Sequence, residues 1–253
     1  LKEMVYFVGA GAGDPELITV KGQRLLQKAD AVVWAGSLVN PVLLENCKPA
    51  VKVFDSAKMT LQETTQALAE CQQAGGLAVR LHTGDPSLYG AIAEQMRELD
   101  KLGISYQVVP GVSSFVAAAA ALQAEFTLPG ITQTVILTRA AGRTPVPESE
   151  DIEKLAAIGA SMAIFLSVHM LDDVTAKLMK YYPADTPAAV VEKASWPDQR
   201  IIRGTLSDIA SKIKEAGVTK TAQVLVGRFI DGVGEKSLLY DPGFTHGYRQ
   251  ASE

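Results

Sequence analysis

Cysteine is scarce in this chain: 253 residues hold only two, Cys47 and Cys71, and no C-x-x-C pattern. That spacing supports neither a structural zinc site nor a disulfide framework, and it suits a reducing compartment. Histidine is nearly as rare. His82, His169 and His246 lack metal-ligand spacing, so each reads as a structural or surface residue and no metal is expected. Aromatic residues make up only 6%, which leaves Ala, Val and Leu to fill the core, as in helix-covered parallel sheets. Long apolar runs are missing too: the small-apolar stretch Phe115–Leu122 is too short to cross a bilayer. The chain opens directly on a strand pattern, with no charged leader followed by an apolar segment, so a cytoplasmic protein without a membrane partner is expected. Excess positive charge is absent, and a net charge of −4 argues against a general nucleic-acid surface. An acidic small molecule remains compatible with a local cluster of cations. No G-x-x-x-x-G-K-[ST] occurs, so nucleoside triphosphate hydrolysis has no support.

What the chain does contain is strand-like runs that end in glycine turns. The stretch Leu77–Gly90, LAVRLHTGDPSLYG, is the most informative. Leu77–Leu81 reads as a buried strand, and His82-Thr83-Gly84-Asp85-Pro86 breaks it and exposes backbone amides. Open α/β sheets place ligands outside the carboxyl ends of their strands, which marks this loop as a candidate site. Two similar turns follow predicted strands in the same half, Gly9–Asp14 after Met4–Val8 and Pro110–Ser114 after Ser105–Val109. With Ala31–Trp34 and Val51–Phe54, five strands alternate with helices predicted over 16–27, 60–74, 91–102 and from Ser114 onward. That pattern is a doubly wound parallel sheet.

The Gly9 turn invites comparison with a dinucleotide fingerprint, but two details oppose it. Asp14 stands where a third Gly or Ala should permit close packing, and the second strand ends in Ala35-Gly36-Ser37 without a ribose-binding acid. The turn therefore reads as a place where something bulky approaches the backbone. A break at Phe126–Gln133 separates a second series with strands at Thr134–Leu137, Met162–Leu166, Ala188–Val191, Ile201–Thr205 and Thr221–Val226. Helices are predicted there at Glu150–Ile158, Leu171–Tyr182 and Asp208–Ala216, and 193–200 reads as a hairpin connection, so this sheet is mixed. The expected organisation is two α/β domains, 1–120 and 121–231, with an interdomain cleft, and a C-terminal arm over 232–253. In that arm Leu238, Leu239, Tyr240 and Phe244 are too many apolar groups for a freely solvated tail, so it is expected to pack on its own body or on a partner subunit.

G-A-G-x-G-D-P-x-L-I-T at Gly9–Thr19, T-G-D-P at Thr83–Pro86 and P-G-V-S-S at Pro110–Ser114 together resemble the tetrapyrrole methyltransferases. The resemblance spans nearly the whole chain. Thr132–Pro147 (TQTVILTRAAGRTPVP) and Ala194–Gln199 (ASWPDQ) are similar to the branch that methylates corrin precursors. One departure is Ala12, where many members have proline.

The resemblance implies a homodimer that uses S-adenosylmethionine to methylate a ring carbon of an acidic tetrapyrrole. It implies cofactor contacts from Thr83, Gly84, Asp85, Leu88, Ser113 and Ser114, and from Leu166, Ser167 and Ala194 in the second half. Asp85 would pair with the methionyl ammonium or accept a ribose hydroxyl, against the alternative that it caps a helix. An acidic protein needs local cations to hold a polycarboxylate, and Arg80, His82, Arg139, Arg143 and Lys193 lie in or beside the motif loops. Arg139 and Arg143 are the foremost of these, because guanidinium forks pair bidentately with carboxylates. The alternative for both is surface charge or a structural salt bridge. Two other function classes stay open at this point: a Rossmann-type oxidoreductase, and a corrinoid-binding protein without turnover.

Overall fold

A computed structural model describes residues 4–232 and 234–251. The chain divides into two compact units, Leu1–Ala117 with Lys193–Gln199, and Ala118–Glu192 with Arg200–Glu253. The division falls inside a helix, and the excursion 193–199 clusters with the first unit although it joins two strands of the second.

The first unit is built on a parallel sheet of β1 (Val5–Gly9), β2 (Ala31–Trp34), β3 (Lys52–Asp55), β4 (Ala78–His82) and β5 (Tyr106–Val109). Their order across the sheet is β3-β2-β4-β1-β5. Strand side chains alternate between faces, and both faces here are apolar. Tyr6, Val8, Val32, Val79 and Leu81 pack with Leu25 and Leu26 of α1 (Val20–Lys28) on one face. On the other, Val5, Phe7, Val33 and Ala78 meet Leu68 of α2 (Leu61–Gln73) and Leu99 of α3 (Ile92–Lys101). Burial on both faces is why these strands read as continuous apolar runs. Helix α4 (Ser114–Leu122) follows β5, and its small side chains Ala117, Ala118 and Ala119 are buried.

The second unit carries β6 (Val135–Arg139), β7 (Ser161–Phe165), β8 (Pro187–Glu192), β9 (Arg200–Thr205) and β10 (Ala222–Val226) in the order β6-β7-β10-β8-β9. Only β6 and β7 run parallel; the other three pairings are antiparallel, so the expected mixed sheet is found. Helices α5 (Ile152–Ala156), α6 (Leu171–Leu178) and α7 (Ile209–Glu215) cover it through Ile152, Val174, Leu178, Ile209 and Ile213.

The strands fall within a residue or two of their predicted places, whereas several helices begin or end elsewhere. The helix expected from Glu16 starts at Val20. Asp14 accepts from the Glu16 amide to form a separate 3-10 turn at Pro15–Leu17, and Thr19 then caps α1 through the Gly22 amide at 3.1 Å. The helix expected over Glu150–Ile158 is reduced to α5, because the Asp151 side chain accepts from the Glu153 amide and restarts the chain there. Helix α2 keeps its expected start through a reciprocal cap between Thr60 and Glu63. The described part of the arm forms a 3-10 turn at Leu238–Tyr240 and curls on itself, with the Arg249 guanidinium donating to the Leu239 and Asp241 carbonyls. Among the described residues no helix is long and apolar enough to cross a membrane.

Strands β4, β1 and β5 lie side by side, so the loops leaving them share one space. There Gly9 and Gly111 meet with no room for a side chain: a Cβ on Gly111 would lie 2.2 Å from the Gly84 carbonyl oxygen and 2.7 Å from the Gly9 Cα. Gly111→Ala should therefore lower the unfolding free energy by about 2 kcal/mol or more, because only backbone atoms are there to yield. Gly247→Ala, in open space on the arm, should stay within about 0.5 kcal/mol. Urea unfolding of the two variants checks this contrast.

Candidate functional site

Three strand-end loops of the first unit are laced together by backbone. Gly84 donates its amide to the Gly11 carbonyl at 2.8 Å, and Ala10 donates to the His82 carbonyl at 2.7 Å. Asp85 adds a side-chain clasp: its carboxylate accepts from the Gly111 amide at 2.9 Å, from the Ser87 amide at 2.8 Å and from the Ser87 hydroxyl. Burial works against this carboxylate, but the hydrogen bonds from Ser87 and Gly111 outweigh it and hold the group below the ordinary carboxylate range. Asp85 does not cap α3. That helix begins at Ile92, preceded by a left-handed Ala91 with no side-chain cap.

The expectation that something bulky approaches the first glycine turn is met from within the protein. A Cβ on Gly13 would lie 2.1 Å from the Trp196 ring, whose Nε1–H donates to the Ala12 carbonyl at 3.1 Å. Beside it the Asp14 amide donates to the Ser195 hydroxyl at 3.0 Å. Trp196 and Ser195 were absent from the predicted site set, although Trp196 lies in the motif Ala194–Gln199. Ala194 is buried between Lys193 and Ser195, and Lys193 is ion-paired with Asp198.

The remaining predicted residues of this unit sit in two settings. Thr83 and Leu88 are half-buried on the β4 loop, Ser113 is buried, and Ser114 opens α4. Arg80 and His82 lie inside the fold, only 7% and 5% exposed. The Arg80 guanidinium donates to Gln95 Oε1 at 3.0 Å and to the Val33 and Leu81 carbonyls, with no carboxylate partner among the described residues. Desolvation brings its pKa down to about 10, so it stays charged at neutral pH. Burial, helped by that charge, pushes His82 down to about 3, and its Nε2 finds no partner among the described residues. Both residues, expected to face a polycarboxylate, are thus internal, and only Arg80 carries charge.

In the second unit the parallel strands β6 and β7 end side by side. Ser167, fully buried, joins their exits: its Oγ donates to the Phe165 carbonyl at 2.7 Å and accepts from the Ala140 amide at 2.9 Å. Arg139 fastens the loop that follows, donating to the Ala140, Thr144 and Pro145 carbonyls. Arg143 is exposed on that loop. Both arginines line a cavity of about 370 Å³ with Leu166, His169 and Met170. His169, read from sequence as a structural or surface residue, is thereby placed beside predicted site residues; its position two residues beyond Ser167 was the available signal. Leu166 is 65% exposed with φ of 55°. Of the seven non-glycine residues with positive φ among those described, five (Tyr89, Ala91, Leu166, Lys193 and Ser195) lie in these loops. Backbone strain of this kind persists where surrounding structure enforces it, often at ligand sites.

The sequence profile of the Tetrapyrrole (Corrin/Porphyrin) Methylases matches residues 4–210. The chain belongs to that family. This tetrapyrrole methylase is 50% identical to the cobalt-precorrin-4 C(11)-methyltransferase of Methanocaldococcus jannaschii over 98% of its own length and 96% of the relative's. An X-ray structure of a cobalamin biosynthetic enzyme, cobalt precorrin-4 methyltransferase, is similar with a TM-score of 0.89 and 46% identity over 90% of this chain and 96% of that one. A uroporphyrin-III C-methyl transferase from Thermus thermophilus, crystallised with S-adenosyl homocysteine, is similar with a TM-score of 0.76 and 28% identity, covering 92% and 96%.

The buried imidazole of the tetrapyrrole methylase makes its stability pH-dependent in a defined window. The folded pKa of His82 is depressed, so between its unfolded value near 6.5 and its folded value the unfolded chain binds the extra proton. Stability from this group is complete above about pH 6.5 and falls with acidification, by at most about 1.4 kcal/mol per pH unit. Urea unfolding between pH 6.5 and 5 should show that slope in the parent and a flatter one in His82→Gln. Equal slopes would mean that the ring is not held neutral.

Proposed function

We propose that this tetrapyrrole methylase transfers the methyl group of S-adenosylmethionine to C11 of cobalt-precorrin-4, giving cobalt-precorrin-5 in cobalamin (vitamin B12) biosynthesis. The observation that carries the reading is half-identity, over almost the full length, to an enzyme named for that step. Metal-free precorrin-4 is the second substrate form to be tried.

The residues present fit the co-substrate. Glycine-lined loops with strained backbone lie together at the strand ends of the first unit, and an exposed, strained Leu166 offers an apolar surface in the second. When bound, S-adenosylmethionine supplies a sulfonium that makes its methyl carbon electrophilic, so no metal and no covalent enzyme intermediate is needed. The chain's own task is to hold donor and ring carbon in line and to exclude water. Thr83, Gly84, Asp85, Leu88, Ser113 and Ser114, with Leu166, Ser167 and Ala194, form the cofactor set in this reading. Asp85 serves it by fixing the β4 loop to the β5 loop, and Ser167 by fixing the exits of β6 and β7. Of the sequence-suggested cations outside the core, Arg139 and Lys193 are engaged, whereas the Arg143 side chain has no hydrogen bond or ion pair among the described residues, so it is assigned to the substrate's carboxylates.

The protein is further proposed to act in the cytoplasm as a homodimer. The arm supports assembly: Leu238, Leu239 and Tyr240 lie exposed on it, with Tyr240 at 85%, and a partner surface would remove that apolar area from water. Removal of residues 232–253 should then lower the sedimenting mass or the Tm, and a truncated protein unchanged in both would leave the arm without a role in assembly.

Incubation with S-adenosylmethionine and either cobalt-precorrin-4 or metal-free precorrin-4, read by mass spectrometry and NMR, tests the activity. One methyl added at C11, with release of S-adenosylhomocysteine, is expected. Tetrapyrrole binding without methyl transfer would favour a binding protein, and a nicotinamide-dependent absorbance change would favour an oxidoreductase. Asp85→Ala should weaken S-adenosylhomocysteine binding by about 1–3 kcal/mol and lower the Tm, because the clasp on Gly111 is lost with it. Calorimetry and thermal melting check both effects.

A further inference from the structure

We infer that His169 is a substrate-positioning residue that shares one carboxylate of the tetrapyrrole with Arg143, while Arg139 only holds the loop presenting Arg143. The inference rests on the proposed reading of the substrate as a polyacidic tetrapyrrole. Both side chains line the same cavity, on elements rooted at one atom. The Ser167 hydroxyl bonds Ala140, where the Arg143 loop begins, and Phe165, just before the turn Val168–Met170 that carries His169. The backbone segments that carry them are therefore tied at their roots before a ligand arrives, which limits the ordering cost of capture.

The three nominal cations of this cavity are not equivalent. Arg139 spends its guanidinium on three loop carbonyls, one at 2.6 Å. Arg143 and His169 have no hydrogen bond or ion pair among the described residues. The acids just beyond His169 are already engaged, Asp172 with Lys214 at 2.7 Å and Asp173 with Lys177 at 3.6 Å. An incoming carboxylate thus meets two unspent donors. An imidazole offers at least one N–H in either protonation state, and a guanidinium offers a fork. Leu166 and Met170 supply apolar wall for the methylenes of an acidic side arm. At about 370 Å³ the space lies at the small end for ligand pockets, so it suits one edge of a macrocycle with its acidic arm and not the whole ring. Leu166, assigned above to the cofactor, forms one wall, which puts this anchored edge next to the donor.

Binding of uroporphyrin, a stable octacarboxylic porphyrin, followed by fluorescence quenching, tests the inference apart from methyl transfer. His169→Leu should bind it about tenfold more weakly, the scale of one lost charge-assisted hydrogen bond, and His169→Gln, which keeps an N–H, should recover most of that loss. With cobalt-precorrin-4 the Leu variant should show a raised KM, near-parental kcat, and unchanged S-adenosylhomocysteine affinity and Tm. Combined with Arg143→Gln it should lose clearly less than the product of the two single effects, as expected of groups on one carboxylate. A Leu variant with parental uroporphyrin affinity and KM, in an enzyme that does methylate cobalt-precorrin-4, overturns this inference alone. Loss of cofactor affinity or Tm in proportion overturns it too, by making His169 structural. A parent protein that captures neither uroporphyrin nor cobalt-precorrin-4 overturns the proposed function and this inference together.

Discussion

Backbone-to-backbone contact between Gly9, Gly84 and Gly111 is the constraint on which the first unit's loops depend. Adjacent parallel strands deliver their loops into one region, and a side chain at Gly9 or Gly111 would force them apart. Once they touch, the Gly84 amide reaches Gly11 and the Asp85 carboxylate reaches the Gly111 amide. A carboxylate accepting backbone amides is among the stronger local ties available to a loop. Strained Tyr89 and Ala91 can persist next to such a tie because their surroundings leave no relaxed alternative.

The second unit reaches the same end by other chemistry. A buried hydroxyl, Ser167, and a guanidinium, Arg139, satisfy carbonyls and an amide that the exits of β6 and β7 would otherwise leave open. Because these two side chains complete the loop's own hydrogen bonding, Arg143 and His169 remain unengaged at the cavity. The first unit shows the contrasting use of a cation. Arg80 is buried with carbonyl and amide partners, and its charge helps to keep the neighbouring His82 neutral. A positive residue in a motif can therefore be a strut, a loop fastener or a free ligand group, according to which carbonyls surround it.

The strand positions were legible in the sequence because a sheet covered on both faces needs contiguous apolar residues, and Val5–Gly9 or Ala78–His82 supply them without interruption. Helix ends were less legible. They turn on single side chains competing for backbone amides, as Asp14 and Thr19 do before α1 and Asp151 does before α5. The motif loops were legible as loops and as a family resemblance, since Gly-Asp-Pro and Pro-Gly leave few alternatives locally.

What each loop residue touches was decided by tertiary structure. Nothing near Gly13 in sequence announces that Trp196, about 180 residues on, fills the space above it. Arg139 and Arg143 share one loop, yet one is spent and the other free, because only the folded loop turns the Thr144 and Pro145 carbonyls toward Arg139. His169 gave no signal of its own and gains its place from the strand pairing that sets β6 beside β7. Composition, apolar runs and glycine turns determined by themselves that this chain would form two α/β sheets with loops at strand ends. Partner choice among polar side chains is a matter of a few ångströms and of which carbonyls lie unpaired, and those distances exist only after the strands have been brought together.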